Sequence, residues 1–176
     1  AKTESGYSGG ALTMKTASMG GFIQGVENPD GVRRSAGGTV LATANEIVAL
    51  IIHSELDFNS LKNKITVYPD SLNIACDSAK DTIVRLYKNP TSIAGATTLT
   101  DVQTGVSVMQ YSSAGTTVTG GANLLTWIVP GGGNVVANLA DLRAKIRPGE
   151  RYVFTHEGSA GNKGDTNIGI SWIERI

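Results

Sequence analysis

The sequence predicts an all-β chain: an antiparallel two-sheet sandwich of jelly-roll-like form, preceded by an extended N-terminal arm. Three observations carry that reading. Short runs rich in Val, Ile, Thr and aromatic residues recur roughly every ten residues, separated by Gly, Pro, Asn and Asp clusters. Helical periodicity is confined to one short stretch, so alternating strand and helix units are not expected. The first forty or so residues differ in composition from the rest, being rich in Gly and Ser with few apolar side chains.

Residues 1–44 read as the arm. Turn signals stand at Asn28-Pro29-Asp30-Gly31 and Ser35-Ala36-Gly37-Gly38, and the apolar positions are isolated. A segment with so little apolar surface does not offset its own ordering entropy. Leu12, Met14, Met19, Phe22 and Ile23 are therefore expected to serve as anchors on a neighbouring subunit.

Residues 45–176 form the expected sandwich domain, with strands at 45–53, 64–68, 72–76, 81–88, 97–100, 106–111, 116–119, 123–129, 135–139, 151–156 and 167–174. The run Ile47-Val48-Ala49-Leu50-Ile51-Ile52 is apolar on both faces, as in a central strand whose second face lies under another layer, another subunit or the arm. Ile47, Ala49 and Ile51 accordingly join the candidate partner-binding residues. The clearest alternation is the last, where Ile168, Ile170 and Trp172 point one way and Gly169 and Ser171 the other. A helical turn is expected at 140–146, stopped by Pro148 and Gly149. Spacing alone fits either a jelly roll or an immunoglobulin-like sandwich. The absence of an internal repeat argues against a propeller or solenoid.

Charge and motif content narrow the chemistry. Lys plus Arg equals Asp plus Glu at 15 each, so no net pull toward nucleic acid or an anionic membrane is expected. No apolar run approaches the roughly 18 residues of a membrane span, and the polar start does not resemble a signal peptide. The single cysteine, Cys76, lies in an apolar stretch and cannot form an intrachain disulfide. The stretch GSAGNKGDT at 158–166 superficially resembles a phosphate-cradling loop. It lacks the P-loop order, because Lys163 precedes its glycine, no Ser or Thr stands in the magnesium-holding position, and a strand follows. It reads as a hairpin loop between the last two strands.

His53 and His156 end apolar strands outside any nucleophile or metal motif, and the aspartates fall in loops or at strand ends without an evident pair. No enzyme activity, cofactor or metal is expected. Exposed aromatics could still form a sugar platform. Of the available rings Trp127 and Trp172 read as core, and Tyr111, beside the 112–115 turn, is the one whose burial the sequence decides least.

From about residue 45 to the end the chain resembles structural β-sandwich proteins of tailed-bacteriophage particles. The resemblance rests on VRLYKNPT at 84–91, VSVMQYSSAGTTVTGG at 106–121, LRAKIRPGERYVF at 142–154 and NIGISWIERI at 167–176. It implies a virion protein without catalytic residues, commonly trimeric, that decorates or cements the major capsid protein shell. The alternative is a neck, baseplate or fibre component that touches host-surface glycans. Assembly would take place in the host cytoplasm, and the arm would fasten the protein to its neighbour.

Overall fold

A computed structural model describes residues 31–41, 45–77, 79–95, 98–158 and 165–175. The chain enters at β1 (Val32–Leu41), crosses to β2 (Ile47–Ser54), and makes a small hairpin of β3 (Asp57–Phe58) and β4 (Leu61–Lys62). The long β5 (Thr66–Cys76) and β6 (Thr82–Lys88) follow, then the short β7 (Ser92–Ile93), β8 (Thr100–Asp101), β9 (Met109–Ser112) and β10 (Val118–Thr119). The chain closes with β11 (Ala122–Val129), β12 (Asn134–Asn138), a 3-10 turn at Ala140–Leu142, β13 (Arg151–Gly158) and β14 (Asp165–Arg175).

Two antiparallel sheets pack face to face. One has the order β1-β14-β5-β12, the other β11-β6-β13-β2-β9-β8. Numbering the eight main strands in chain order as β1, β2, β5, β6, β11, β12, β13 and β14, the first sheet holds the first, eighth, third and sixth. The second holds the fifth, fourth, seventh and second. This is the interleaved double Greek key of a jelly roll, which selects between the two sandwiches that spacing left open. The core lies between the sheets. Leu72 and Ile74 of β5 and Ile168, Ile170 and Trp172 of β14 meet Leu50 and Ile52 of β2, Val84 and Leu86 of β6, and Tyr152 and Phe154 of β13.

The second face of β2 is covered within the chain. Val48, Ile51 and Val153 form a smaller buried cluster under Tyr87, Leu99 and the β7–β10 ribbon residues Ile93 and Val118. The doubly apolar IVALII run is thus buried by another layer of the same polypeptide.

Four expectations are corrected. Residues 32–41, assigned to the arm, form an edge strand paired with β14 over its whole length, from Val32 opposite Glu174 to Leu41 opposite Asp165. The glycines there mark close approach, because a Cβ on Gly38 would collide with the Ala49 carbonyl oxygen. Residues 64–68 and 72–76 belong to one strand. A bulge opposite the Ser171–Trp172 step takes up the extra residue beside Pro69, so the proline does not end the pairing. Residues 158–166 do not join paired strands, since β13 and β14 lie in different sheets. Finally, the expected helix over 140–146 is cut to a single 3-10 turn. Arg143 turns left-handed at φ 49°, and Ile146 leaves to bridge Val67 through two backbone hydrogen bonds of 2.9 and 3.0 Å.

Gly38 and Gly169 test the placement of β1. An added Cβ meets backbone at Gly38 and open space at Gly169. Gly38→Ala is expected to cost about 1–3 kcal/mol in denaturant unfolding, while Gly169→Ala stays within about 0.5 kcal/mol of the parent. Equal stability of the two variants would remove residues 32–41 from the sheet.

Candidate functional site

The expected partner-binding residues separate into two groups. Leu12, Met14, Met19, Phe22 and Ile23 lie outside the described residues. Ala49 and Ile51 are buried inside the chain, the first in the main core and the second under the ribbon, and Ile47 is half-buried. β2 also has no free edge along its second half, being paired with β13 on one side and with β9 through residues 51–54 on the other. Ala49 and Ile51 are thus taken up by contacts within the chain.

Apolar side chains remain exposed along the opposite flank, where β11 and β12 form the neighbouring edges of the two sheets. Ile128 and Val136 expose 65% and 70% of their surface, and Leu124 and Leu142 are also exposed. Of the seven large apolar residues exposed among the described ones, these four lie on or just beyond that pair of strands. Sequence reading missed them because Leu124 and Ile128 sit in the largely apolar LLTWIV run. There a bulge between Asn123 and Leu125 decides which residues turn outward. Trp127, by contrast, packs partly against the core, as does Tyr111, so neither ring forms an open platform.

The titratable groups are engaged structurally. His156 is buried, with Nδ1 2.7 Å from the Thr166 hydroxyl. Cys76 lies beside the same threonine, with its sulfur 3.1 Å from the Thr82 hydroxyl. Burial pushes the His156 imidazole below its usual pKa, with Glu157 acting weakly in the other direction. His53 is lowered by burial and then by Arg151, against a backbone hydrogen bond at Glu150. Arg85 lies between Glu157 at 2.6 Å and Glu46 at 3.4 Å on the outer face of the six-stranded sheet. Gln110 bridges Glu55 and Asp101 at 2.8 and 2.9 Å. Among the described residues no group of three or more His, Cys, Asp and Glu is arranged to hold a metal.

Fold and side chains together define an all-β jelly-roll sandwich with an exposed apolar flank. The sequence matches no protein-family model and none of the curated proteins. Among solved structures it is similar to a chain of the cryo-electron microscopy structure of mud crab dicistrovirus, at 11% identity and a TM-score of 0.27. The match covers 85% of this chain and 70% of that one.

Buried His156 and half-buried His53 set a pH dependence. Their folded-state pKa values lie below the usual imidazole value, so the unfolded chain binds protons more readily as pH falls below about 6.5. Stability is expected to be level above that point and to fall toward pH 5. His156→Gln should flatten the fall in a series of thermal melts across this range, and an unchanged slope would contradict the assignment.

Proposed function

We propose that the chain is a bacteriophage virion structural protein, a jelly-roll subunit that trimerises and decorates or cements the capsid shell, with its N-terminal residues as the fastening element. The observation that supports this reading is the place of the first described strand. Among the described residues β1 is an edge strand of the four-stranded sheet. Residues 1–30 therefore lead into a sheet edge that a neighbour can approach, and a stretch of thirty residues can reach up to about 100 Å when extended. The jelly roll is a fold used in viral capsids and in lectins, so it supports a scaffolding role without naming the particle. The segments that resemble phage structural proteins include β6, at 84–88, and the closing β14, so the resemblance falls on framework strands of both sheets.

Ile128, on the outer face of the six-stranded sheet, and Val136, on the outer face of the four-stranded sheet, are exposed apolar contact points for neighbouring copies, and each apolar side chain buried against a partner contributes about 1.5–3 kcal/mol. In a closed symmetric assembly that contribution repeats at every interface.

The test is a truncation that respects the strand boundary. A chain beginning at Gly31 is expected to keep the parent's folding cooperativity and to lose attachment to particles stripped of the protein, as read by co-sedimentation. Phe22→Ala with Ile23→Ala in the full chain should weaken attachment by roughly a hundredfold or more, since two buried anchors are worth about 3–6 kcal/mol. Full attachment by the truncated chain would overturn the proposal.

A further inference from the structure

Two neighbouring cavities flank residues 143–145, and Arg143, Ala144 and Lys145 line both. The first, of about 430 Å³, is completed by Lys88, Leu124, Leu142, Arg147 and Tyr152. The second, of about 310 Å³, is completed chiefly by Tyr68, Pro69, Ala140, Ile173 and Arg175. Each has the volume of a small-ligand site.

The charge balance here departs from the neutrality of the whole chain. Asp70, the acid among the lining residues, is held by an ion pair with Arg33 and accepts a hydrogen bond from the Ser171 hydroxyl at 3.4 Å. Glu150, beside the first cavity, pairs with Lys88 at 2.9 Å and accepts from the Arg147 backbone N–H at 2.9 Å. None of the ion pairs found among the described residues involves Arg143, Lys145, Arg147 or Arg175. Two of these cations are drawn to one ring. The Arg175 guanidinium lies 4.8 Å and the Lys145 ammonium 5.5 Å from the centre of Tyr68.

The dividing wall is held in place by two donors that also line the first cavity. The Lys145 carbonyl accepts from the Tyr152 hydroxyl at 3.4 Å and from the Lys88 ammonium at 3.3 Å. Arg143 stands in the left-handed region at φ 49°, where Gly or Asn sits with less strain. An arginine at that position puts a guanidinium on the wall between the cavities.

We infer that this double cavity binds an acidic saccharide. Arg143 with Arg175 in one cavity, and Arg143 with Arg147 in the other, receive the anionic group of a sugar unit. The ring rests on Pro69, Ala140 and Ile173 or on Leu124 and Leu142. Guanidinium pairs suit this because they hydrogen-bond a carboxylate in a fixed fork. Single-stranded nucleic acid fits less well, since cations lie over the Tyr68 and Tyr152 rings that would otherwise stack bases. A peptide adding as a strand finds no strand edge at 143–147. The site stands independently of the particle role proposed above.

The test uses the full chain in calorimetric titration with trigalacturonate and glucose 6-phosphate as acidic sugars. An uncharged galactose trisaccharide and a thymidine oligonucleotide serve as controls. Binding of at least one acidic sugar and not of the neutral one is expected, weakening as salt is raised. The double variant R143N/R175Q, which keeps a residue tolerant of the left-handed conformation, should weaken it by about a hundredfold, on the order of tenfold for each charge-assisted hydrogen bond removed. K62Q, at the exposed β3–β4 hairpin, should bind like the parent. If R143N/R175Q does not fold, K145Q/R147Q removes charge from the same wall and should also weaken binding. Equal binding of the neutral trisaccharide, unchanged affinity in the folded wall variant, binding of the oligonucleotide alone, or no binding of either acidic sugar would overturn the inference.

Discussion

The carboxylate of Glu174 is buried at the end of the last strand, and the fold can bury it only by surrounding it with donors. The Trp172 indole N–H reaches it at 3.0 Å, the Ser107 hydroxyl at 2.5 Å and the Val108 backbone N–H at 3.4 Å. An unpaired carboxylate in that position would carry a desolvation cost of several kcal/mol, so the three donors are obligatory. They come from two sheets. Trp172 and Glu174 share the inward face of β14 by strand parity, while Ser107 and Val108 lie just before β9 at the margin of the other sheet. Satisfying one carboxylate therefore fixes the register of β14, the seat of the largest buried side chain and the position of the segment leading into β9. Since β14 lies between β1 and β5, the four-stranded sheet is complete only when the C-terminal strand is in place.

Sequence revealed what depends on local parity and missed what depends on approach between distant segments. The alternation in NIGISWIE was legible because Ile168, Ile170 and Trp172 report the buried face without reference to any partner. Glu174 continues that parity as a buried acid, which a hydropathy pattern reads as the end of the strand. The glycines at 37 and 38 look like punctuation in one dimension. In three dimensions Gly38 lets β1 lie against the Ala49 carbonyl, a contact between residues that sequence proximity alone does not pair. The Pro69 break failed for a related reason. A bulge absorbed it, and bulges are set by the partner strand.

The binding surfaces were legible to a lesser degree, for a reason that lies in the charge count. A total of 15 cations and 15 anions describes the chain correctly and conceals how the pairs are distributed. Asp57, Asp70, Glu150, and the pair Glu46 and Glu157 are each taken up by a nearby cation at Lys62, Arg33, Lys88 and Arg85 respectively. The remainder is positive where residues 143–147 meet the end of β14. The turn LRAKIRPGER hints at this excess, but Arg175 joins it only through folding. Its approach to Tyr68 across the first sheet could not be read from spacing.

The sheet edges differ in how open they are to strand addition. β8 spans two residues, β12 is five residues long, and β11 is interrupted by a bulge. Short or bulged edges resist strand addition, so three of the four outer strands are poor templates for another chain. β1 differs, being ten residues long and regular in its register with β14. Its protection is chemical. Arg33 reaches across β14 to Asp70 on one face of the strand, and Arg34 donates to the Gln103 side chain at 2.5 Å on the other, so a cation stands on each side of β1. A neighbour that covers this edge must accommodate those cations, whereas one at the β11–β12 side meets Ile128 on the outer face of one sheet or Val136 on that of the other. Contacts at the two flanks therefore differ in kind: salt-sensitive along β1 and driven by apolar burial along β11 and β12.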